Sequence, residues 1–210
     1  MINYTIQKID NSVANNYQKE RHYLKRKSQA MFSFGLFNDL DLIGVCIFGI
    51  PASVSLCKGI AGIEYKNKVL ELNRLYIIDN TPKNTESWFV SKCLKLLKQH
   101  TDKFIIVSYA DTSQNHVGTI YQALSFLYTG ITKPRRDRYV KNDSSHGRNT
   151  YRYKTLKELQ EIGIEMDWKI RPQKHRYIKF NCGKLQRKNM LKLLKYQVQA
   201  YPQKRSQKEI

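Results

Sequence analysis

The side chains best suited to chemistry follow a short apolar run near the middle of the chain. Residues 104–109 read FIIVSY and end at the polar cluster ADTSQN. A run of β-branched and aromatic residues with such an end predicts a buried strand, which carries Ser108, Tyr109 and Asp111 to its carboxyl end. Ligands of open α/β sheets bind at that edge. Asp111 suits two roles equally well there, a catalytic carboxylate or the cap of the turn that follows.

A second polar group lies within VLELNRLYII, residues 69–78, which predicts a long strand. The alternation places Leu72 and Tyr76 on one face, and Glu71 and Leu75 on the other. Polar residues in a central strand are costly unless they are satisfied or face a cleft. We therefore expect Asn73 to line the site. Arg74 either binds substrate or pairs with Glu71 or Asp79.

His22 and Tyr23 are adjacent in a helix predicted from Asp10 or Asn11 to Arg26. Neighbouring helical residues do not share a face, so the two meet one ligand only at a helix end or in a loop. A lone histidine is more often a surface or core residue than a ligand.

Two predicted helices flank the strand over 104–109. The first opens at Thr85 and follows the loop DNTPKNTES, in which Lys83, Asn84 and Ser87 are placed to hold an anion. The second is predicted from His116, with apolar residues through Leu127 facing the sheet. Tyr121 lies on this apolar face, where its hydroxyl either serves a leaving group or packs in the core.

The order of elements predicts a GNAT-like (N-acyltransferase-type) α/β fold, with a mixed central sheet flanked by helices. A hairpin over MFSFGLF and LIGVCIFGI precedes the strand 69–78, and a strand–helix–strand–helix unit follows. We expect a catalytic domain over 1–155 and a basic extension over 156–210, partly helical with a disordered end. The loop 79–87 departs from ordinary acyltransferases because it lacks the glycines of a pyrophosphate loop.

The charge of the chain favours a polyanionic partner. Lys and Arg number 37 against 17 Asp and Glu, a formal net charge of +20. Nucleic acid is the favoured partner, with basic segments 133–154 and 169–205 on the phosphates, although a merely soluble basic surface gives the same composition. The four cysteines show no CxxC spacing, and no apolar run is long enough for a membrane span. These features are typical of a soluble intracellular protein.

Several motifs together resemble those of the phage Mom DNA-modification family. They are HY (22–23), ELNRL (71–75), NTES (84–87), SYAD (108–111), HVGTIYQAL (116–124) and YTG (128–130), and the similarity covers about residues 20–155. The resemblance implies a GNAT-like enzyme that converts adenine in DNA to a carbamoylmethyl-type derivative on its exocyclic amine and so hides phage DNA from restriction. It further implies a phage or prophage gene, expressed in the cytoplasm of a bacterial host.

The resemblance also assigns roles to residues. It implies catalytic roles for His22, Tyr23, Asp111 and Asn73, with Ser108, Tyr109 and Tyr121 behind them. It implies iron held by His22, Tyr23 and Asp111, a ligand set that suits iron. The acyl-CoA or aminoacyl (glycine-derived) donor would bind at Lys83, Asn84 and Ser87. Substrate and DNA contacts are expected from Arg74, His116, Arg135, Arg136, Arg138, His146 and Arg148, although a solvated loop also explains the last two.

Two other functions are compatible with the same residues. One is an ordinary N-acyltransferase acting on RNA, a protein or a small amine. The other is a non-catalytic DNA-binding protein on a GNAT-like scaffold. If duplex adenine is the substrate, the base must leave the helix before its amine can react.

Overall fold

The computed structural model describes residues 4–21, 27–141 and 155–203. Within these ranges the strands are β1 (Tyr4–Ile9), β2 (Phe32–Asn38), β3 (Asp41–Gly49), β4 (Val69–Ile77), β5 (Ile105–Asp111), β6 (Leu127–Ile131), β7 (Arg135–Val140), β8 (Met166–Arg171) and β9 (Lys174–Phe180). The α-helices are α1 (Asn11–Arg21), α2 (Val54–Ala61), α3 (Thr85–His100), α4 (Thr119–Ala123), α5 (Leu156–Glu161) and α6 (Lys184–Leu193). Short 3₁₀ helices span Ile63–Lys68 and Thr112–Gln114.

Seven strands form one mixed sheet in the order β1-β2-β3-β4-β5-β9-β6. Strands β1 to β4 are antiparallel, β4 and β5 are parallel, and β9 lies antiparallel between β5 and β6. The parallel pair is connected through α3, as a crossover requires. This confirms the predicted fold class, an α/β fold with a mixed central sheet flanked by helices.

The sheet buries apolar side chains on both faces. The amphipathic helix α3 covers one face, where Phe89 and Leu97 pack in a cluster with Leu70 and Ile106. Helices α2 and α6 cover the other face through Ile60 and Met190, beside Val107 and Ile178. All four cysteines are free thiols. Among the described helices, we find none with the length and apolar character of a membrane span.

Strand β4 carries a β-bulge at Asn73. Ile47 of β3 pairs with Arg74, and the next residue, Phe48, pairs with Leu72, so Asn73 is an extra residue in β4. Beyond the bulge the alternation shifts by one. Leu75 and Ile77 pack in the cluster under α3, and Tyr76 packs with Val45 and Ile47 on the opposite face. The predicted faces of Leu75 and Tyr76 were therefore wrong.

The segment after β5 also differs from the prediction of one long helix from His116. Helix α4 is a single short turn of helix, and Leu127 begins strand β6. Ser125 adopts a φ of 55°, which breaks the helical path. Leu127 and Tyr128 then pair with β9, a strand far along the chain that local periodicity could not reveal.

Strand β9 brings the C-terminal region into the main sheet, between β5 and the edge strand β6. It pairs with the whole of β5, from Ile105↔Phe180 to Asp111↔Lys174. The predicted strand over RPQKHRYIKF and the predicted helix after it correspond to β9 and α6. The division at residue 155 stays a prediction, although residues 174–180 belong to the main sheet. The predicted disordered end lies, from residue 204 onward, outside the described residues.

Two further strands form a separate antiparallel sheet, which we call the ribbon and define as β7 and β8. The ribbon lies in the sequence between β6 and β9. Its chain ends therefore emerge from neighbouring strands of the main sheet, because β6 and β9 pair with each other.

Candidate active site

A cleft opens where the two parallel strands separate. Strands β4 and β5 pair only from Val69↔Ile105 to Glu71↔Val107, near their amino ends. A cleft of about 540 Å³ lies beyond that point, toward their carboxyl ends. Three segments line this cleft. They are the loop before α3 with the first turn of α3 (Asp79, Thr81, Pro82, Lys83, Asn84, Glu86, Ser87), strand β5 (Tyr109, Ala110), and the segment around α4 (His116, Val117, Gly118, Thr119, Ile120, Tyr121, Ala123).

The amino end of α3 forms one wall of the cleft. Asn84 adopts a left-handed conformation with φ 70° immediately before the helix. The hydroxyl of Thr85 donates to the carbonyl of Pro82 at 2.7 Å, and that of Ser87 donates to the carbonyl of Asn84 at 3.0 Å. The helix dipole and Lys83 favour an anion at this wall, while the carboxylates of Asp79 and Glu86 oppose it. The predicted trio Lys83, Asn84 and Ser87 does line the cleft.

Strand β9 fixes the opposite wall through Tyr177. The Tyr177 hydroxyl donates to the carbonyl of Val117, and a Cβ on Gly118 would lie 2.5 Å from the Tyr177 ring. The side-chain amide of Gln122 donates to the Val117 carbonyl at 2.9 Å and to the Pro202 carbonyl at 3.1 Å. The loop before α4 is thus held by β9 and by the C-terminal segment.

Three predicted site residues, Tyr109, His116 and Tyr121, line the cleft. The Tyr109 side chain also packs against the cluster that α2 and α6 cover. Tyr121 also contacts the rings of Phe126 and Tyr177, with centroids 5.5 and 5.3 Å away. Tyr121 therefore packs against the core and lines the cleft, and the service of its hydroxyl to a leaving group stays a prediction. Burial raises the pKa of Tyr109 well above its ordinary value, with the charge of Glu71 adding to the effect, so its hydroxyl stays protonated at neutral pH.

Asp111 caps the turn that follows β5. Its Oδ1 accepts hydrogen bonds from the Ser113 backbone N–H at 3.0 Å and from the Ser113 hydroxyl at 2.7 Å. Its Oδ2 lies 3.5 Å from the Lys174 ammonium, and its side chain is only 12% exposed. Burial acts to raise the pKa of Asp111, but the hydrogen bonds from Ser113 and the charge of Lys174 outweigh it and lower the pKa. Asp111 is therefore an ionised carboxylate at the end of β5, and it is not among the residues that line the cleft.

Glu71 is a titratable residue that the sequence reasoning did not select. It lies at the last ladder pair before β4 and β5 separate. Burial raises its pKa to about 7, while Lys174 and Arg74 act to lower it. A carboxyl that titrates near neutral pH is typical of functional sites. The signal available in the sequence was a carboxylate inside an otherwise apolar strand.

Three predicted site residues have structural contacts outside the cleft lining. The Asn73 amide donates to the carbonyl of Gln29 at 2.6 Å, above Gly49, where a Cβ would lie 2.4 Å from that amide nitrogen. Ser108 is fully buried, and its hydroxyl donates to the Leu72 carbonyl at 3.3 Å across the β4–β5 junction. Arg74 donates to the Asn73 carbonyl at 2.6 Å and is electrostatically coupled to Glu71. Their proposed catalytic and binding roles stay predictions.

The remaining predicted residues divide into two groups. Arg135, Arg136 and Arg138 are exposed on β7, in the ribbon. The other four, His22, Tyr23, His146 and Arg148, lie outside the described residues.

The predicted iron site finds no support in the part of the chain that the structure describes. Asp111 is the one predicted ligand within it, and the oxygens of Asp111 face Ser113 and the Lys174 ammonium. No group of three His, Cys, Asp or Glu side chains suited to a metal ion occurs among the described residues. Because His22 and Tyr23 lie outside the described residues, the iron site stays a prediction, and we derive no chemistry through it.

Comparisons with known proteins identify one family. The model of the Mom protein family matches residues 3–203. The methylcarbamoylase mom of Escherichia phage Mu is 29% identical over 113 residues, which are 52% of this chain and 46% of that protein. The chain thus matches about half the length of that curated relative.

Solved structures of low sequence identity also match. An N-acetyltransferase from Staphylococcus aureus Mu50 has a TM-score of 0.49 and 11% identity, covering 86% of this chain and 99% of that one. The ribosomal-protein-S18-alanine N-acetyltransferase from Escherichia coli has a TM-score of 0.49 and 11% identity, covering 87% and 97%.

Proposed function

The chain belongs to the Mom protein family, and we propose that it is a phage-encoded transferase that modifies adenine in DNA. The product we propose is the carbamoylmethyl-type derivative on the exocyclic amine, which protects the DNA from restriction. The observation that carries this proposal is the family match over residues 3–203. The cleft at the carboxyl ends of β4 and β5 is the site we propose for the reaction, since ligands of such sheets bind at that edge.

The reaction forms a bond between the adenine amine nitrogen and the transferred carbon, and it breaks the bond from that carbon to the leaving group of the donor. The amine loses one proton, which the departing group takes up. Tyr109, His116 and Tyr121 line the cleft and are our candidates for contacts with the reacting groups. Asp111 is our candidate for a catalytic carboxylate, because its lowered pKa keeps it negative as positive charge develops on the amine.

The donor site we propose is the wall formed by the amino end of α3. Lys83, Asn84 and Ser87 would hold an anionic part of the donor at the positive end of the helix dipole. The carboxylates of Asp79 and Glu86 line the same cleft and weaken this preference. An acyl-CoA and a smaller, less charged aminoacyl donor are both compatible with this wall.

Nucleoside analysis of DNA from cells that express the protein tests the proposal. We expect mass spectrometry to find a new adenine derivative with the wild-type chain. Asp111→Ala should reduce it by at least about tenfold, as loss of a charge-stabilising group does. Asp102→Ala is the matched control, because Asp102 is an exposed carboxylate paired with Lys68. It should leave the yield unchanged.

Two outcomes would replace this proposal with a rival. Unmodified DNA together with tight acetyl-CoA binding would identify an ordinary N-acyltransferase acting on another amine. Unmodified DNA together with DNA binding that persists in Asp111→Ala would identify a non-catalytic DNA-binding protein.

A further inference from the structure

The two faces of the ribbon differ in chemistry. Antiparallel partners share a face, so Arg136 with Ile170 and Arg138 with Trp168 lie on one side. We call these four residues the open face. The paired residues Asp137 with Lys169 and Tyr139 with Asp167 lie on the other side, which we call the paired face.

Both carboxylates of the paired face have partners within the ribbon. Arg171 Nε lies 3.2 Å from the Asp137 carboxylate, and the Tyr139 hydroxyl donates to Asp167 at 3.0 Å. Both described acidic residues of the ribbon, Asp137 and Asp167, are on this side. The acidic residues of the paired face therefore make contacts within the ribbon itself.

The open face combines exposed apolar side chains with exposed arginines. Trp168 is 52% exposed and Ile170 is 67% exposed, while Arg136 and Arg138 are exposed beside them. The Arg138 guanidinium lies 5.2 Å from the centre of the Trp168 ring. Large exposed apolar side chains grouped together mark an interaction surface more often than isolated ones do.

The base of the ribbon is attached to the end of β5, next to Asp111. The Thr112 hydroxyl donates to the carbonyl of Gln173 at 2.6 Å, and the Gln173 side chain donates to the carbonyl of Thr132 at 2.7 Å. Thr132 and Gln173 are the residues that lead into and out of the ribbon. A molecule bound to the ribbon is thus brought to the sheet edge that carries the candidate site.

We infer that the open face is a DNA-contacting surface, on which the arginines bind phosphates while Trp168 and Ile170 pack against bases. This inference rests on the proposed function. Arginine with an exposed aromatic ring is the combination that binds phosphate and stacks on unpaired bases. A two-stranded ribbon has the width that enters a major groove. An exposed aromatic ring can stack on a base that has lost its pairing partner. The surface would therefore stabilise the opened duplex from which adenine leaves.

Anisotropy of a labelled duplex carrying one mismatched adenine tests this surface. We expect Trp168→Ala to weaken binding about tenfold, which is within the range for loss of one stacking contact, and Trp168→Phe to retain most of the affinity. Lys169→Ala removes a charge from the paired face of the same strand and should weaken binding at most about twofold. Wild-type affinity in Trp168→Ala, or equal losses in Trp168→Ala and Lys169→Ala, would overturn the inference.

Intrinsic fluorescence provides a second measurement, in which the Trp168 side chain is retained. The chain contains 2 tryptophans, so Trp88→Phe leaves Trp168 as the single reporter. Stacking on bases should quench its emission when DNA is added. Unchanged emission at saturating DNA would contradict base contact by Trp168.

Two controls test whether the open face binds a membrane instead of DNA, and whether this inference can fail independently of the proposed function. Binding to phosphatidylglycerol vesicles that is lost in Trp168→Ala, with DNA binding intact, would assign the open face to a membrane and overturn the inference. Nucleoside analysis is independent of it. If Trp168→Ala binds DNA normally and wild-type cells still contain the modified adenine, this inference fails while the proposed function stands. If DNA binding depends on Trp168 but no modified adenine is found, this inference stands and the proposed function fails.

Discussion

At the residue scale, two carboxyls near the β4–β5 edge have ionisation equilibria shifted in opposite directions. Burial raises the pKa of Glu71 to about 7. Burial also acts to raise the pKa of Asp111, but the hydrogen bonds from Ser113 and the charge of Lys174 outweigh it and lower this pKa below its ordinary value. The ammonium of Lys174 acts to lower the pKa of both carboxyls. Two carboxyls that differ in this way can take different roles at one pH, one protonated in part and one fully ionised.

The raised pKa of Glu71 predicts a pH-dependent loss of stability. The ordinary pKa of this carboxyl is 4.5 and its value in the folded chain is about 7, so the folded state binds more protons between these values. The free energy of unfolding should therefore fall as pH rises from about 4.5 to about 7 and stay level above, by on the order of 3 kcal/mol at most. Urea unfolding at a series of pH values measures this.

The substitution Glu71→Gln separates this effect from those of other groups. His175, whose pKa burial lowers, has the opposite pH dependence in the acidic part of the same window. Glu71→Gln should be more stable than the wild type at pH 8 and should lack the fall between pH 4.5 and 7. Parallel pH profiles for the two proteins would show that Glu71 titrates normally.

At the element scale, the short helix α4 depends on the contact between Gly118 and Tyr177. Gly118 has a φ of 75°, and a Cβ there would lie 2.5 Å from the Tyr177 ring. Gly118→Ala should therefore combine backbone strain with a displacement of the cleft wall, at a cost of about 2–4 kcal/mol in the free energy of unfolding. Gly163→Ala is the matched control, since Gly163 has a φ of 72° and open space where the Cβ would lie. It should cost about 1 kcal/mol.

Urea unfolding and product analysis together test this prediction. Gly118→Ala should also reduce the yield of modified adenine, whereas Gly163→Ala should not. The cost of Gly118→Ala should be smaller in a Tyr177→Leu background than in the wild type, because the clash is removed. Equal stabilities of the two single variants would show that the Tyr177 ring moves aside at little cost.

Elements with a strong local pattern could be predicted from the sequence, and elements decided by distant partners could not. The apolar runs around Asn38–Asp41 gave the β2–β3 hairpin, and the period of α3 gave its buried face. The inserted strand β9 was identifiable as a strand, but its place between β5 and β6 depends on pairing across the sheet. The same pairing converts Leu127 from a helical position into the start of β6.

The candidate site was predictable to a similar extent. The polar residues at the end of β5 and at the start of α3 pointed to one edge, and Tyr109, Lys83 and Ser87 do line one cleft. Lys174 and Tyr177 were not selected because both come from β9, and nothing in their local sequence shows that they reach this edge. Asn73 was predicted to line the site because it is a polar residue in a central strand. The bulge that brings its amide to Gln29 depends on pairing with β3, which the local sequence does not show.

At the scale of the whole molecule, basic charge is present far beyond what the acidic residues could neutralise. Pairing every Asp and Glu would still leave the net charge of +20. The structure separates two exposed basic surfaces, the open face of the ribbon and the helix α6, where Lys184 and Lys188 are exposed. If DNA is bound only through the general positive charge, both surfaces should contribute equally to binding. If DNA is bound at the open face, that face should contribute more than α6.

The salt dependence of DNA binding distinguishes these two cases. Each phosphate contact contributes about 0.9 to the slope of log affinity against log salt concentration, so removal of two contacts lowers the slope by about 2. We expect this change in the double variant Arg136→Ala/Arg138→Ala, measured by anisotropy between about 50 and 300 mM KCl. Lys184→Ala/Lys188→Ala removes the same charge from α6 and should change the slope by less than half as much. Equal changes in the two double variants would mean that the general charge of the molecule, rather than the open face, holds the DNA.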